Sequence, residues 1–335
     1  MKTTAAGSVP IISTEKSVFD RLGTVSARMG VNRDDYLVAP GLYGIGSPDS
    51  DSAVLVTANY KLSFDTLRFA LANINVWLLV LDTCGINVWC AAGKGTFSTE
   101  ELVHRVKQSG LERLIAHRRL IVPQLGATGV SARQVKKECG FSVRFGPLRA
   151  GDIKTWFDND LKITGGMRDV TFTLKERAEL IPVEFHLVFK SMWWLFPLLF
   201  ILSGIGPVSD VGERIMSRGL LMIYALLTGI GSGTILVSLL MPWLPGRSFA
   251  VKGAFIGLLS GIVVLFLIEP GLSLPESCSL LLTVVVVSSY LGMNFTGSTP
   301  YTSPSGVEWE MKRAIPVQFC LSIGALLLWV VPPLV

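Results

Sequence analysis

Long stretches without a single charged side chain dominate the second half of this 335-residue chain. Residues 190–335 carry 13 of its 55 charged side chains, and five stretches there carry none: 191–209, 219–246, 253–268, 277–307 and 314–335. A helix needs about 20 apolar residues to cross a bilayer. We therefore predict an all-α membrane domain over residues 190–335, with five transmembrane spans near 191–209, 220–243, 252–269, 277–295 and 314–334.

The loops between these stretches indicate an orientation, because Lys and Arg are retained on the cytoplasmic side. With the N-terminus inside, the inner loops hold more of them than the outer loops: Arg247, Lys252, Lys312 and Arg313 against Arg214 and Arg218. Residues 1–21 contain no apolar signal-peptide region. We expect a multi-pass protein of the cytoplasmic (inner) membrane whose N-terminal half lies in the cytoplasm.

Strand and helix patterns alternate in the first half of the chain. Residues 76–82 are apolar on both faces, as in the covered strands of a parallel sheet. The fold class that this alternation predicts is α/β, with a doubly wound, mainly parallel, Rossmann-like sheet. The predicted strands cover residues 53–60, 76–82, 120–123, 141–145 and 169–174, and the predicted helices cover 64–73, 98–108, 132–138 and 151–158.

This alternation divides the chain into four parts. Residues 1–50 show little periodicity and are predicted to form a cap or a partly flexible arm. Residues 51–175 form the α/β domain, residues 176–189 the linker, and residues 190–335 the membrane domain. Ligands of open α/β sheets bind beyond the carboxyl ends of the strands. This rule predicts a ligand edge built from residues 57–63, 83–94, 124–129 and 146–151.

Cysteine spacing and net charge exclude several classes of function. The five cysteines contain no C-x-x-C pair, so neither a zinc ribbon nor an iron–sulfur cluster is encoded, and any electrons must come from a partner. The formal charge of +5 is spread along the chain without a basic stripe. We therefore expect the partners to include a membrane but no nucleic acid.

The most unusual segment is 87–94, Asn-Val-Trp-Cys-Ala-Ala-Gly-Lys. It follows a predicted buried strand and Gly85, so it emerges at the ligand edge of the sheet. Small residues after Cys90 leave its thiol open on one side, while Trp89 and Val88 supply an apolar wall. A turn containing Gly93 and Gly95 is expected to be mobile.

The residues alone leave more than one role open for Cys90. It can be a small apolar residue of the core, or a nucleophile, although neither His104 nor His117 lies in a recognisable dyad with it. A phosphate loop is excluded. Val88 and Gly95 stand where the Walker A motif requires Gly and Ser or Thr.

Segment 87–94 resembles the signature of the corrinoid proteins of microbial mercury methylation, the HgcA family. That family is related to the large subunit of the corrinoid iron–sulfur protein of the acetyl-CoA pathway. Residues 56–61, 124–127, 140–141 and 146–150 resemble further blocks of the same family, and five spans after the corrinoid domain match its layout. The chain departs from the iron–sulfur relative because it has no N-terminal four-cysteine motif.

The resemblance implies the site residues and the cofactor. Cys90 would be the catalytic residue and the lower axial ligand of cobalt in a cobalamin-type corrinoid, with cofactor contacts from Thr57, Ser63, Asn87, Val88, Trp89 and Ala150. A soft, electron-donating sulfur ligand would favour release of the methyl group to an electrophile as a carbanion equivalent or a radical. Cobalt(I) prefers no axial ligand, so the thiolate must also be able to dissociate.

The resemblance further implies a cobalamin-dependent methyltransferase of anaerobic metabolism. A methyltetrahydrofolate-type donor or a methyl donor protein would supply the methyl group, inorganic Hg(II) would accept it to give methylmercury, and a ferredoxin-like iron–sulfur protein would reduce cobalt. Two alternatives stay open: a membrane-anchored corrinoid methyl carrier of one-carbon or acetyl-CoA metabolism, and a membrane transporter with a cytosolic sensing domain. Few charges within the spans argue against transport.

Overall fold

The computed structural model describes residues 1–207, 210–268, 271–295, 299, 301 and 304–334. The chain divides into two compact units. The first contains residues 1–27 and 31–170, and the second contains residues 28–30 and 171–335. The first unit is an α/β fold, and the described residues of the second unit are helical or lie in connecting segments.

A mixed six-stranded sheet forms the centre of the first unit. After a small antiparallel hairpin, Lys2–Thr4 (β1) and Gly7–Val9 (β2), the strands of this sheet are Ile11–Ile12 (β3), Gly41–Ile45 (β4), Val54–Ala58 (β5), Val76–Leu81 (β6), Arg119–Val122 (β7) and Ser142–Phe145 (β8). Their order is β3-β4-β6-β5-β7-β8. The last four strands along the chain, β5 to β8, are parallel, which confirms the predicted parallel core.

Alternate side chains of the central strands enter two separate hydrophobic cores. Val56 and Leu79 point into one core, whereas Leu55 and Leu78 point into the other. Helices cover both faces, so both strands are buried throughout. The helices are Val18–Arg28 (α1), Lys61–Ala70 (α2), Val88–Lys94 (α3), Thr99–Gln108 (α4), Ala132–Cys139 (α5) and Ile153–Asp158 (α6).

Residues 1–50 are more ordered than the predicted cap or flexible arm. β4 pairs antiparallel with β6, with Tyr43 opposite Leu78, and β3 pairs parallel with β4. The Gly-Leu-Tyr-Gly-Ile sequence of β4 is too short and too rich in glycine to show a strand periodicity. It forms a strand because β6 offers an unpaired backbone edge beside it.

The predicted closing strand over residues 169–174 is wrong. Thr171, Phe172 and Thr173 have high strand propensity, but Thr173 instead begins a helix, Leu174–Ala178 (α7). The Thr173 hydroxyl accepts a hydrogen bond from the backbone N–H of Glu176, and the Glu176 carboxylate accepts one from the backbone N–H of Thr173. This capping box outweighs the propensity of three residues for extended structure.

Within its described residues, the second unit contains four helices that are long and apolar enough to cross a membrane. Val211–Gly231 (α10) continues through a π-helical segment, Ser232–Leu236, into Val237–Leu240 (α11), so that one helical rod covers Val211–Trp243. The others are Phe249–Leu267 (α12), Leu274–Phe295 (α13) and Pro304–Val330 (α14). These helices correspond to the last four predicted spans; Glu269, at the end of the third prediction, lies outside the described residues.

The first predicted span, residues 191–209, is not one straight helix. Ile181–Met192 (α8) ends there, and Leu195–Leu202 (α9) follows at a bend of 55°. Pro197 accounts for the break, because proline has no N–H to donate to the carbonyl of Trp193 and its ring collides with that carbonyl. The part of the unit that the structure describes therefore has four candidate spans, or five if the bent pair counts as one.

Candidate cofactor site

A cavity of about 300 Å³ opens at the carboxyl ends of the parallel strands. It lies where the strand order reverses, because β6 pairs with one edge of β5 and β7 pairs with the other edge. All four segments predicted from the sequence contribute side chains to its wall, and such switch points are where open α/β sheets bind ligands. The predicted ligand edge is therefore a real concavity.

The cavity brings together six of the seven predicted site residues. Thr57 lies at the end of β5 and is 3% exposed, and Ser63 lies in the first turn of α2. The other four come from the start of α3 and from the segment after β8, so that residues distant in sequence share one wall: Asn87, Val88, Trp89 and Ala150. Trp89 keeps 40% of its surface exposed.

Cys90 is the seventh predicted residue, and it does not line the cavity. It lies in the first turn of α3, directly after Trp89, and is half-buried. Its backbone N–H donates a hydrogen bond of 2.9 Å to the side-chain oxygen of Asn87, which caps the helix. Its backbone thus directly follows a residue of the cavity wall, and the role of its thiol as a cobalt ligand stays a prediction.

Segment 87–94 forms a short helix where the sequence analysis expected a mobile turn. Ala91 and Ala92 are buried, and a Cβ on Gly129 would come within 3.2 Å of the Ala92 backbone. The small side chains after Cys90 therefore let α3 pack closely against a neighbouring loop. Gly95 ends the helix in the left-handed conformation, with φ of 80°.

Asn59 organises the loop that leads from β6 into α3. Its side-chain oxygen accepts hydrogen bonds from the backbone N–H groups of Thr83, at 3.1 Å, and Gly85, at 3.0 Å. The Thr83 hydroxyl lies 2.8 Å from the same oxygen, and the Asn59 amide donates to the Asp82 carboxylate. Asn59 is 3% exposed. This residue, to which sequence reasoning assigned no role, fixes the loop before the Cys90 helix.

An ion-pair network supports α2, which forms one wall of the cavity. Asp20 of α1 lies 3.0 Å from both the Lys61 ammonium and the Arg68 guanidinium, and both cations also pair with Asp65. Burial alone would raise the pKa of Asp20, but hydrogen bonds from Ser17, Lys61 and Arg68 outweigh burial and hold that pKa well below its ordinary value. The network ties α1 to α2 while both carboxylates are ionised.

Among the described residues, no charged side chain belongs to the wall of this cavity. Its polar groups are the hydroxyls of Thr57, Ser63 and Thr66 and the amide of Asn87, and the rest of the wall is apolar. Sequence reasoning missed Thr66, which lies one helical turn after Ser63 on α2; that spacing was the signal that could have identified it. It also missed the wall residues Leu67 and Ile153, whereas Leu62, Leu125 and Leu148 lie within the predicted ligand edge.

The residues of the site fit a corrinoid better than a free metal ion. Among the described residues, no three His, Cys, Asp or Glu side chains lie close enough together to hold a metal. A corrin ring brings its own equatorial nitrogen ligands and needs only one axial ligand from the protein. A broad apolar wall with a few hydroxyls and one nearby thiol suits the face of such a ring, although the cavity can hold only part of so large a group.

Comparisons with known proteins match this same part of the chain. Residues 22–157 match the family model described as CO dehydrogenase/acetyl-CoA synthase delta subunit. Among curated proteins, the chain is similar to acetyl-CoA decarbonylase/synthase complex subunit gamma of Archaeoglobus fulgidus, with 31% identity over 142 residues, and of Methanopyrus kandleri, with 32% over 130 residues. The same subunit of Methanocaldococcus jannaschii is 37% identical over 98 residues.

These alignments cover 41%, 38% and 29% of this chain, and 30%, 28% and 20% of the respective relatives. The chain thus spans less than a third of the length of the curated relatives it matches. The family match runs from α1 to α6 and includes the whole cavity wall. The comparisons confirm the predicted likeness to subunits of the acetyl-CoA system, at that level of detail.

Proposed function

We propose that this chain is a membrane-anchored corrinoid methyl carrier that delivers a methyl group to Hg(II). The observation that carries the proposal is the cavity at the switch point. Six of the residues predicted from the sequence to contact a corrinoid line this cavity. The likeness to acetyl-CoA decarbonylase/synthase subunits supports the carrier role. The eight-residue segment around Cys90 supports mercury as the acceptor.

The residues that would hold the corrinoid divide into two groups. Val88 and Trp89 offer an apolar surface for the face of a ring, and the hydroxyls of Thr57 and Ser63 can bond to its polar edge groups. A bound corrinoid supplies cobalt, from which a methyl group can be transferred. The protein contributes by holding the reacting face in place and by excluding water from it.

Cys90 would ligate cobalt through its sulfur. A thiolate is a soft, strongly donating ligand, and such a ligand would favour transfer of a methyl group to an electrophile such as Hg(II). Asn87 acts as a positioning residue, because its side chain holds the backbone N–H of Cys90 at 2.9 Å and so fixes the turn that carries the thiol. Gly95 ends the helix in the left-handed conformation, so α3 and α4 are separate helices.

The remaining partners follow from what the chain does not carry itself. The described residues contain no cluster of metal-ligating side chains, so we propose that electrons come from a separate ferredoxin-like iron–sulfur protein. A methyl-folate or a methyl donor protein would supply the methyl group. Hg(II) would arrive bound to thiolates, since mercury prefers sulfur ligands.

The helices of the second unit would anchor the protein in the cytoplasmic membrane. We prefer anchoring to transport because the buried cation of α10 is fully engaged in structural contacts. Arg218 pairs with Glu276 at 2.9 Å, donates to the carbonyls of Ser203 and Trp329, and stacks on the Trp329 ring at 4.3 Å. A transport site would need ionisable groups that are available to a substrate.

The test compares methyl transfer by the natural chain with methyl transfer by its cysteine variants. Each protein is the full chain, purified anaerobically and loaded with methylcobalamin. We expect methylmercury from Hg(II) with the natural chain and a loss of at least about 100-fold with Cys90→Ala, which removes the ligand. Cys139→Ala is the control, because this thiol also lies half-buried in the first unit. Full mercury methylation by Cys90→His would contradict the role assigned to sulfur.

The second candidate is a carrier of one-carbon metabolism, which the similarity to the acetyl-CoA decarbonylase/synthase subunits favours. It uses the same cavity but passes on the methyl group as a cation equivalent. Offering an alkyl thiolate in place of Hg(II) distinguishes the two. Transfer to the thiolate together with failure to methylate Hg(II) would select this second function.

A further inference from the structure

Helix α1 displays its apolar side chains to the outside of the first unit. Phe19 is 84% exposed, Val18 68%, Leu22 61%, Val25 55%, and Met29, just beyond the last helical turn, 52%. Val18, Leu22, Val25 and Met29 recur every three or four residues, so they form one stripe along the helix. We call these five residues the α1 stripe. In an ordinary surface helix such a stripe faces the core.

The opposite face of α1 is small or polar and is the one that packs inwards. Ala27 is 1% exposed, and Gly23 approaches Tyr36 so closely that a Cβ there would collide with the tyrosine ring. Asp20 points to the same side, where it meets the cations of α2. These contacts fix the rotation of the helix, so the exposure of the α1 stripe is built into the fold.

Basic residues accompany the α1 stripe. Lys16 precedes the helix, Arg21 is exposed on it, and Arg28 ends it. Arg28 pairs with Glu179 at 3.0 Å across two partly exposed side chains, with 46% and 37% of their surfaces accessible. An apolar stripe bordered by Lys and Arg, with an aromatic residue at one end, is typical of helices that lie in the interface of an anionic bilayer.

We propose that α1 lies in the headgroup layer of an anionic membrane with the α1 stripe turned towards the acyl chains. The occupant is lipid and not protein because the charged residues that border the α1 stripe, Lys16, Arg21 and Arg28, are basic, and because the described part of the same chain contains helices that are long and apolar enough to cross a membrane. The inference rests on the proposed anchoring of the second unit. It adds a second, peripheral attachment that belongs to the cofactor-binding half.

The experiment uses the full chain in vesicles of phosphatidylcholine and phosphatidylglycerol that contain a trace of diazirine-bearing phospholipid. After illumination and digestion, mass spectrometry measures lipid adducts on α1, on α12 and on α5. Helix α12 is the positive reference, because only 28% of its apolar 18-residue stretch is buried within the protein. Helix α5 is the negative reference, because it is polar and solvated. We expect strong labelling of α1 and α12 and background labelling of α5.

The double variant Leu22→Glu/Val25→Glu tests the α1 stripe directly. Both side chains are more than half exposed, so the fold should persist, and labelling of α1 should fall to the level of α5 while α12 stays labelled. Gln134→Glu is the matched control, because it adds a negative charge at the start of the exposed helix α5. It should leave labelling of α1 unchanged.

Two outcomes would overturn the proposal, and they differ in what else they reject. If α12 is labelled but α1 is not, the anchoring stands and the α1 stripe must be covered by a protein partner. If neither helix is labelled, the proposed membrane anchoring fails and the inference fails with it. Equal labelling of α1 in vesicles of phosphatidylcholine alone would remove the part assigned to its basic residues.

Discussion

The two units of this chain make different use of buried polar groups. In the first unit, Thr57 and the other polar residues of the cavity wall are uncharged, and they surround a space at the edge of a sheet. In the second unit, buried charges tie helices together: Arg218 pairs with Glu276, and the Lys252 ammonium donates to the carbonyls of Met241 and Leu244 at 2.7 and 2.9 Å. The contrast concerns the cavity wall: its polar groups remain available to a ligand, whereas Arg218 and Lys252 are engaged in structural contacts, as Asn59 is in the first unit.

The two units also differ in how they pack. Large side chains such as Trp77 and Leu79 fill the sheet of the first unit. The helices of the second unit meet through small residues instead. A Cβ on Gly253 of α12 would lie 2.4 Å from the carbonyl oxygen of Ser288 on α13, and the Ser288 hydroxyl donates to the Gly253 carbonyl. Close backbone contact of this kind favours rigid helix association, which suits an anchor.

Removing the Asn59 side chain should produce the largest effect on the first unit. In Asn59→Ala the backbone N–H groups of Thr83 and Gly85 lose their acceptor, which should lower the free energy of unfolding by about 3 kcal/mol. Hydrogen exchange at these two amides measures the change. Asn75→Ala, which removes one exposed acceptor from Ser47, should have little effect. Unchanged protection in Asn59→Ala would refute the role of this residue.

Gly253→Ala should affect only the second unit. The added methyl group meets backbone atoms of α13, which should separate the helices and lower stability by about 2 kcal/mol. Gly231→Ala is the matched control, since a Cβ there has no neighbour within 4 Å among the described residues. Thermal unfolding in mild detergent measures both variants. Loss of cobalamin binding in Gly253→Ala would break the comparison, because it would make the anchor part of the site.

Thr66→Trp tests whether the cavity is the place where cobalamin binds. Thr66 is exposed on α2 and borders the cavity, so a bulky ring there should block part of it without disturbing the core. We expect cobalamin to bind about tenfold more weakly, which corresponds to a loss of about 1.4 kcal/mol in binding free energy. Thr155 on α6 is also exposed but lies outside the cavity wall, so Thr155→Trp should leave the affinity for cobalamin unchanged. Equal affinities for the two variants would locate the ligand elsewhere.

Asp20→Asn should have the smallest effect, and that effect should depend on pH. The folded protein holds the pKa of Asp20 below its ordinary value of 3.8, so the ionised carboxylate stabilises the fold above about pH 4 and loses this contribution as the pH falls further. We expect a loss of about 1 kcal/mol at pH 7 that shrinks below pH 4. Chemical unfolding of both proteins at pH 7 and at a pH below 4 measures this loss of stability. A stability difference between the two proteins that does not depend on pH would contradict the role assigned to the Asp20 carboxylate.

Sequence reasoning located the parallel strands and the ligand edge because both depend on local patterns. β5 and β6 are runs of apolar residues, and loops after such strands lie at one edge by topology alone. It failed at β4, where the strand depends on a distant pairing partner, and at Thr173, where a helix cap competes with strand propensity. The break between α8 and α9 was also missed, although Pro197 was a visible signal.

The sequence predicted which residues belong to the candidate site, but not their conformation or their contacts. The segment 87–94 identified the neighbourhood, yet no pattern within it indicated that Ala91 and Ala92 would be buried and make it a helix. The role of Asn59 depends on contacts to residues 24 to 26 positions away, which a single sequence does not reveal. Thr66 could have been predicted, because it lies one helical turn after the predicted contact residue Ser63 on α2.

The central claim is that sulfur from Cys90 binds cobalt at the edge of the parallel sheet. The most direct measurement is the visible spectrum of cobalamin bound anaerobically to the natural chain and to Cys90→Ala. The account predicts that the natural chain shifts the spectrum to that of a thiolate-ligated corrinoid, and that Cys90→Ala still binds cobalamin but without this shift. Identical spectra for the two proteins would contradict it.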